Sequence, residues 1–109
     1  AFSEMCAHYP VQTRGWKLVL VGGSTPDNMY LDSLKEAIAE AQCLIELVVN
    51  AAVSEIKEWY RVATVFWHAC GLDETQPERV EHFGMTTVEA MQNYCVPVVI
   101  DGGGQKEIV

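Results

Sequence analysis

At 109 residues the chain has the size of one domain, and 50% of it is hydrophobic, enough for a packed core with a thin stability margin. The formal net charge is −8 and the 7 basic residues are scattered singly, so no basic stripe is offered to a nucleic acid, and no apolar run is long enough to span a bilayer. A phosphate-bearing ligand would have to be held by local geometry, against the bulk charge.

In chain order, residues 1–8 read as the end of a helix. The start, AFSEMCAHYP, lacks the basic segment and apolar stretch of a signal peptide. Residues 17–21 (KLVLV) form a buried strand closed by Gly22 and Gly23, and the turn formers STPDN follow. A helix over 30–42 is predicted from Leu31, Leu34, Ile38 and Ala41 at helical spacing. Residues 44–49 are the second strand. Ser54 is expected to cap a helix through about Val62, with Ile56, Trp59 and Tyr60 on its apolar face. Residues 64–68 (TVFWH) are the third strand, and a long polar loop runs over 69–82. A helix over 85–93, a strand over 96–100, a glycine turn over 101–104 and the start of another helix at 105–109 complete the chain. Trp16, Trp59 and Trp67 are expected as core or interface anchors.

Strands alternating with helices imply βαβ units and a parallel, doubly wound, Rossmann-like α/β sheet. The near-continuous apolar strands fit burial on both faces. Cys6, Cys43, Cys70 and Cys95 form no C-x-x-C pair and sit in or beside apolar segments, which points to free thiols and a cytoplasmic location. His8, His68 and His82 show no metal-ligand spacing. His68, ending a strand, is expected to line a ligand edge. Gly22-Gly23 lacks the Lys-Ser/Thr of a P-loop and reads as a tight turn.

Ligands of doubly wound folds lie beyond the carboxyl ends of the strands, which selects residues 22–28, 50–53, 69–84 and 101–105. The third segment is richest. Gly84 lets a ligand approach the backbone, and the N–H groups of Met85, Thr86 and Thr87 would point at an anion. Glu81 and Glu89, eight apart, are both expected to face a solvated cleft. A carboxylate there can accept paired bonds from a ribose diol, although spacing alone fits solvated helix carboxylates and an ordinary capped helix equally well.

The stretch EHFGMTTVEAMQNYCVPVVIDGGGQKEIV resembles the signature of family-4 (group 1) glycosyltransferases of the GT-B type. Glu81 and Glu89 take the places of an E-x7-E motif, and Phe83-Gly84, Ala90-Met91, Pro97-Val98-Val99 and Gly103-Gly104 fall in step. The resemblance extends more loosely over nearly the whole chain, through LVLVGG, VSEIKEWYRVA and WHACGLDE. It implies that residues 1–109 are a partial nucleotide-sugar (donor) binding domain, cut at both ends from the C-terminal lobe. By position, Glu89 would bind the ribose and Glu81 would lie near the sugar at the catalytic centre. The backbone at Phe83, Gly84, Met85 and Thr86, with His82 alongside, would contact phosphate and sugar, and Val53 would line the base.

The implied reaction is retaining transfer of a hexosyl group from a nucleotide sugar to a hydroxyl acceptor, with no required metal or cofactor. The other expected partner is an N-terminal acceptor domain of the parent chain, through which any peripheral membrane association would act. The domain alone is expected to be inactive. Tyr94 departs from the family, which has Gly there to end the helix in a left-handed turn; Asn93 is expected to supply that turn one residue early. The family's phosphate-binding Arg and Lys lie upstream of the sequence's start. The alternatives are another GT-B enzyme, a phosphorylase or an epimerase, or a non-catalytic nucleotide-binding module.

Overall fold

Runs of Val, Leu and Ile, interrupted by amphipathic helices, set up the strands in the computed structural model, which describes residues 1–25, 28–79 and 81–109. Pro26, Asp27 and Val80, which belong to the STPDN turn and the long polar loop, lie outside the described residues. The chain forms two units, Ala1–Ala52 and Val53–Val109.

In the first unit, helix α1 (Phe2–His8) buries Phe2 and precedes strand β1 (Lys17–Gly22). Helix α2 (Met29–Glu40) leads to β2 (Leu44–Val49). The two strands pair in parallel, from Lys17 opposite Leu44 to Gly22 opposite Val49. Asn28 caps α2, its side-chain oxygen accepting the Tyr30 N–H at 3.0 Å; this satisfies one donor that the helix itself cannot. The half-buried line on α2 is Leu31, Leu34 and Ile38, continued by Ala41, as the helical spacing predicts.

In the second unit, α3 (Val53–Val62) is followed by β3 (Val65–His68), a short 3-10 turn at Pro77–Arg79, α4 (Met85–Gln92), β4 (Val96–Val99) and a second 3-10 turn at Gly103–Glu107. β3 and β4 pair in parallel, with Val65 opposite Val96 and His68 opposite Val99. The fold is therefore α/β with parallel strands. Within the two units the pairings are β1 with β2 and β3 with β4.

The Ala90 side chain of α4 is fully buried and Cys95 nearly so. The Cys95 thiol donates to the carbonyl oxygens of Tyr60 and Ala63 at 3.2 and 3.4 Å, and burial pushes its pKa up because the thiolate would lose its hydration.

Several local expectations are corrected. α3 starts at Val53, so Ser54 sits inside the first turn and does not cap it. Residues 105–109 do not open an α-helix; Gly103–Glu107 winds as a 3-10 turn. Tyr94 itself takes the left-handed conformation, φ 66°, and Asn93, φ −100°, does not. Trp16 and Trp67 are 45% and 44% exposed and are not core side chains. Among the described residues the buried apolar side chains are few, namely Phe2, Ala90 and Cys95.

Candidate functional site

The carboxyl end of the first strand pair is closed by Asn50. Its N–H donates to the Gly22 carbonyl at 2.8 Å. Its side chain accepts the Ser24 N–H at 2.9 Å and donates to the Ser24 carbonyl at 3.0 Å. Asn50 holds φ at 56°, a region that Asn tolerates better than most residues. The glycine turn after β1 is thus pinned to the end of β2 by one amide. Beside it lies a cavity of about 260 Å³ lined by Leu20, Gly23, Asn28, Tyr30, Leu34 and Val49, among others.

The sequence-predicted site residues all belong to the second unit, and most gather in the turn that feeds α4. Gly84 is the N-cap of α4 at φ 62°, and a Cβ there would come within 2.4 Å of Ile108 Cδ1. The left-handed φ favours glycine, while the added Cβ would push aside the end of the Ile108 side chain. Glu81 folds over this turn. Its Oε1 accepts the N–H of Phe83 at 3.1 Å and of Gly84 at 2.9 Å. Where a solvated cleft was expected for Glu81, the carboxylate is part-buried: its side chain is 25% exposed, and one oxygen accepts two backbone N–H groups. The Gly84 and Phe83 N–H bonds hold its pKa below the ordinary carboxylate range, with His68 adding to the effect. Beyond the cap, the first N–H groups of α4 at Met85, Thr86 and Thr87 have no partner within the helix, as at any helix start.

The glycine pair at the other side of the turn explains why this loop is so tightly placed. Gly104 N–H donates to the Glu81 carbonyl at 2.9 Å. A Cβ on Gly103 would lie 2.1 Å from the Glu81 carbonyl oxygen, and one on Gly104 would lie 2.0 Å from that of His82. Two stretches of main chain touch here, which leaves no room for a side chain.

His68 leaves β3 pointing at the same place. Its ring stacks on Phe66, centroids 5.8 Å apart, and Phe66 meets Tyr60 edge-on at 5.7 Å. Nε2 lies 3.7 Å from Glu81 Oε2. Nδ1 lies 3.2 Å from Nε2 of Gln105, a fully buried side chain. Gln105 carried no signal in the sequence: an uncharged residue in a glycine turn has no periodicity to mark it. Thr87 is also fully buried, and its hydroxyl has no partner.

The remaining candidates are exposed to solvent. Glu89 is exposed on α4, and its backbone carbonyl accepts the Asn93 amide at 2.9 Å. Desolvation, then the negative charge of Glu89, raises the pKa of Tyr60. Val53 is 69% exposed at the start of α3. His82, Phe83, Met85 and Thr86 are exposed around the turn. Among the described residues no hydrogen bond or ion pair joins the side chain of Glu89 or Val53 to Glu81, and no three His, Cys, Asp or Glu side chains cluster to hold a metal ion. No helix among them is long and apolar enough to cross a membrane.

Comparison with known proteins places the chain in a family. The profile of the glycosyl transferases group 1 family matches residues 1–109. Two relatives are lipopolysaccharide core biosynthesis mannosyltransferases, LpcC of Rhizobium leguminosarum bv. viciae and LpsB of Rhizobium meliloti (strain 1021). Each is 30% identical over 95 residues, covering 86% of this chain and 25% of the relative. The chain thus spans about a quarter of the length of the curated relatives it matches. No solved structure gives a significant match.

Proposed function

We propose that this chain, which belongs to the group 1 glycosyltransferases, binds the nucleotide-sugar donor of a retaining, family-4, GT-B enzyme that transfers a hexosyl group to a hydroxyl acceptor. The observation that carries the reading is the turn at Glu81. Its carboxylate ties up the N–H groups of Phe83 and Gly84, and the next N–H groups, at exposed Met85 and Thr86, have no partner within the helix. Open helix donors and the helix dipole favour a diphosphate even in an acidic chain.

In this reading Glu89 accepts the ribose hydroxyls and Glu81 meets the sugar. His82, Phe83, Met85 and Thr86 line the phosphate and sugar, and Val53 the base. The mannosyltransferase relatives favour mannose as the sugar. The acceptor, the N-terminal domain that would hold it, any peripheral membrane association and a cytoplasmic location belong to the same proposal. Transfer would require no metal, and would require both halves of the cleft, since reacting groups must be held in attack geometry.

The test is a thermal-shift and calorimetric panel of GDP-mannose, UDP-glucose, ADP-glucose and the free diphosphates. Stabilisation by at least one nucleotide sugar, and by its own diphosphate more weakly, is the expected result. A chain that responds to none of them at millimolar concentration is not a donor-binding domain.

A further inference from the structure

The Glu81 carboxylate is used unevenly, and the His82 N–H also favours its charged form. Oε1 takes the Phe83 and Gly84 N–H groups, whereas Oε2 turns to His68 Nε2 at 3.7 Å. That separation is too long for a hydrogen bond and suits a bridging oxygen. The two side chains are 18% and 25% exposed, so the gap is reachable but drier than open surface.

The imidazole is also held in one orientation. Phe66 stacks on its face, and buried Gln105 sits at Nδ1. With the amide nitrogen of Gln105 as donor, Nδ1 must accept, and the neutral ring carries its proton on Nε2. The opposite amide orientation would set a bare Nε2 against the carboxylate, which is electrostatically worse. Around the gap there is therefore one donor, Nε2–H, and one acceptor, Oε2.

We propose that His68 is a specificity-determining residue for the donor sugar: with Glu81 it brackets a single sugar hydroxyl, Nε2–H donating to the hydroxyl oxygen and Oε2 accepting its proton. Gln105 is the positioning residue that fixes the ring. The inference rests on the donor-binding reading above and adds to it a residue outside the E-x7-E frame. A site that pairs both functions of a hydroxyl rejects the analogue lacking it, because its own polar groups are then left unpaired.

The experiment is calorimetry of the full chain with GDP, GDP-mannose and the monodeoxy GDP-mannoses. The wild type binds one monodeoxy analogue about tenfold more weakly than GDP-mannose. His68→Asn, which keeps a polar group near Nδ1 for Gln105 but cannot reach the gap, loses that discrimination. His68→Gln, whose amide reaches the Nε2 position, retains it. Gln105→Leu reduces it partly, and GDP affinity stays within about twofold in all three variants. A merely structural role would weaken GDP and GDP-mannose alike. His68→Asn discriminating as well as wild type, or losing GDP and GDP-mannose affinity in equal proportion, overturns the proposal. If another donor of the panel binds instead, its diphosphate and monodeoxy analogues take the place of the GDP series; a wild type that binds no nucleotide sugar of the panel refutes donor binding itself, a separate and recognisable failure.

Discussion

Replacing Glu81 by Gln keeps the shape and one carbonyl-type acceptor but removes the charge. In the folded chain Oε1 accepts two backbone N–H groups at 3.1 and 2.9 Å. A bond to an ionised acceptor contributes about 1.5–3 kcal/mol and one between neutral groups about 0.5–1.5. Two such conversions remove about 2–3 kcal/mol, and partial exposure of the side chain trims the expectation to about 1–2 kcal/mol at pH 7. The pH dependence carries a second signature. The folded pKa of Glu81 lies below its ordinary value of 4.5, so its contribution is complete above 4.5 and is lost as pH falls through the depressed value. The wild-type and Glu81→Gln stability curves should therefore differ at neutral pH and converge in acid. Glu74, also depressed by the Gln76 and Thr75 N–H groups, titrates in both proteins and cancels in the difference. Urea unfolding at several pH values measures this. Equal stability at pH 7, or a gap that persists unchanged below the acid range, would refute the view that this carboxylate holds the turn.

Gly104→Ala should destabilise by about 2–4 kcal/mol, since the added Cβ needs roughly 1 Å of backbone movement and breaks the Gly104-to-Glu81 bond; a melt within about 1 °C of wild type would show that the two loops are not in contact. Tyr94→Gly should do the reverse. Its left-handed φ of 66° strains a side chain that is 94% exposed, so relief of about 1 kcal/mol should raise Tm by a few degrees, which calorimetric melting will read. Glu89→Gln should weaken nucleotide diphosphate and nucleotide sugar alike, by about 1–3 kcal/mol, because both carry the ribose; titration showing an unchanged diphosphate affinity removes Glu89 from the ribose.

The alternation of apolar runs with helical periodicity was enough to place every strand and α-helix to within about two residues, because burial of a strand or a helix face is written in local spacing. Leu31, Leu34, Ile38 and Ala41 came out half-buried in a line, and Ile56, Trp59 and Tyr60 likewise. The family was legible too, since its motif is a run of adjacent residues. What local spacing does not encode is end geometry and long-range contact. Ser54 has the chemistry of a cap, yet the helix begins one residue earlier. Asn93 favours the left-handed turn, yet the strain falls on Tyr94 because the Cys95 N–H must reach back to the Ala90 carbonyl. Glu81 reads as a solvated carboxylate until the turn closes on it, and Gln105 is silent until it meets His68, 37 residues away. Sequence by itself determined the elements, the fold class and the family. Only tertiary structure decided which polar atoms of Glu81 and His68 are already spent on the protein and which are not, because hydrogen-bond partners are assigned by distance in space and not by position along the chain.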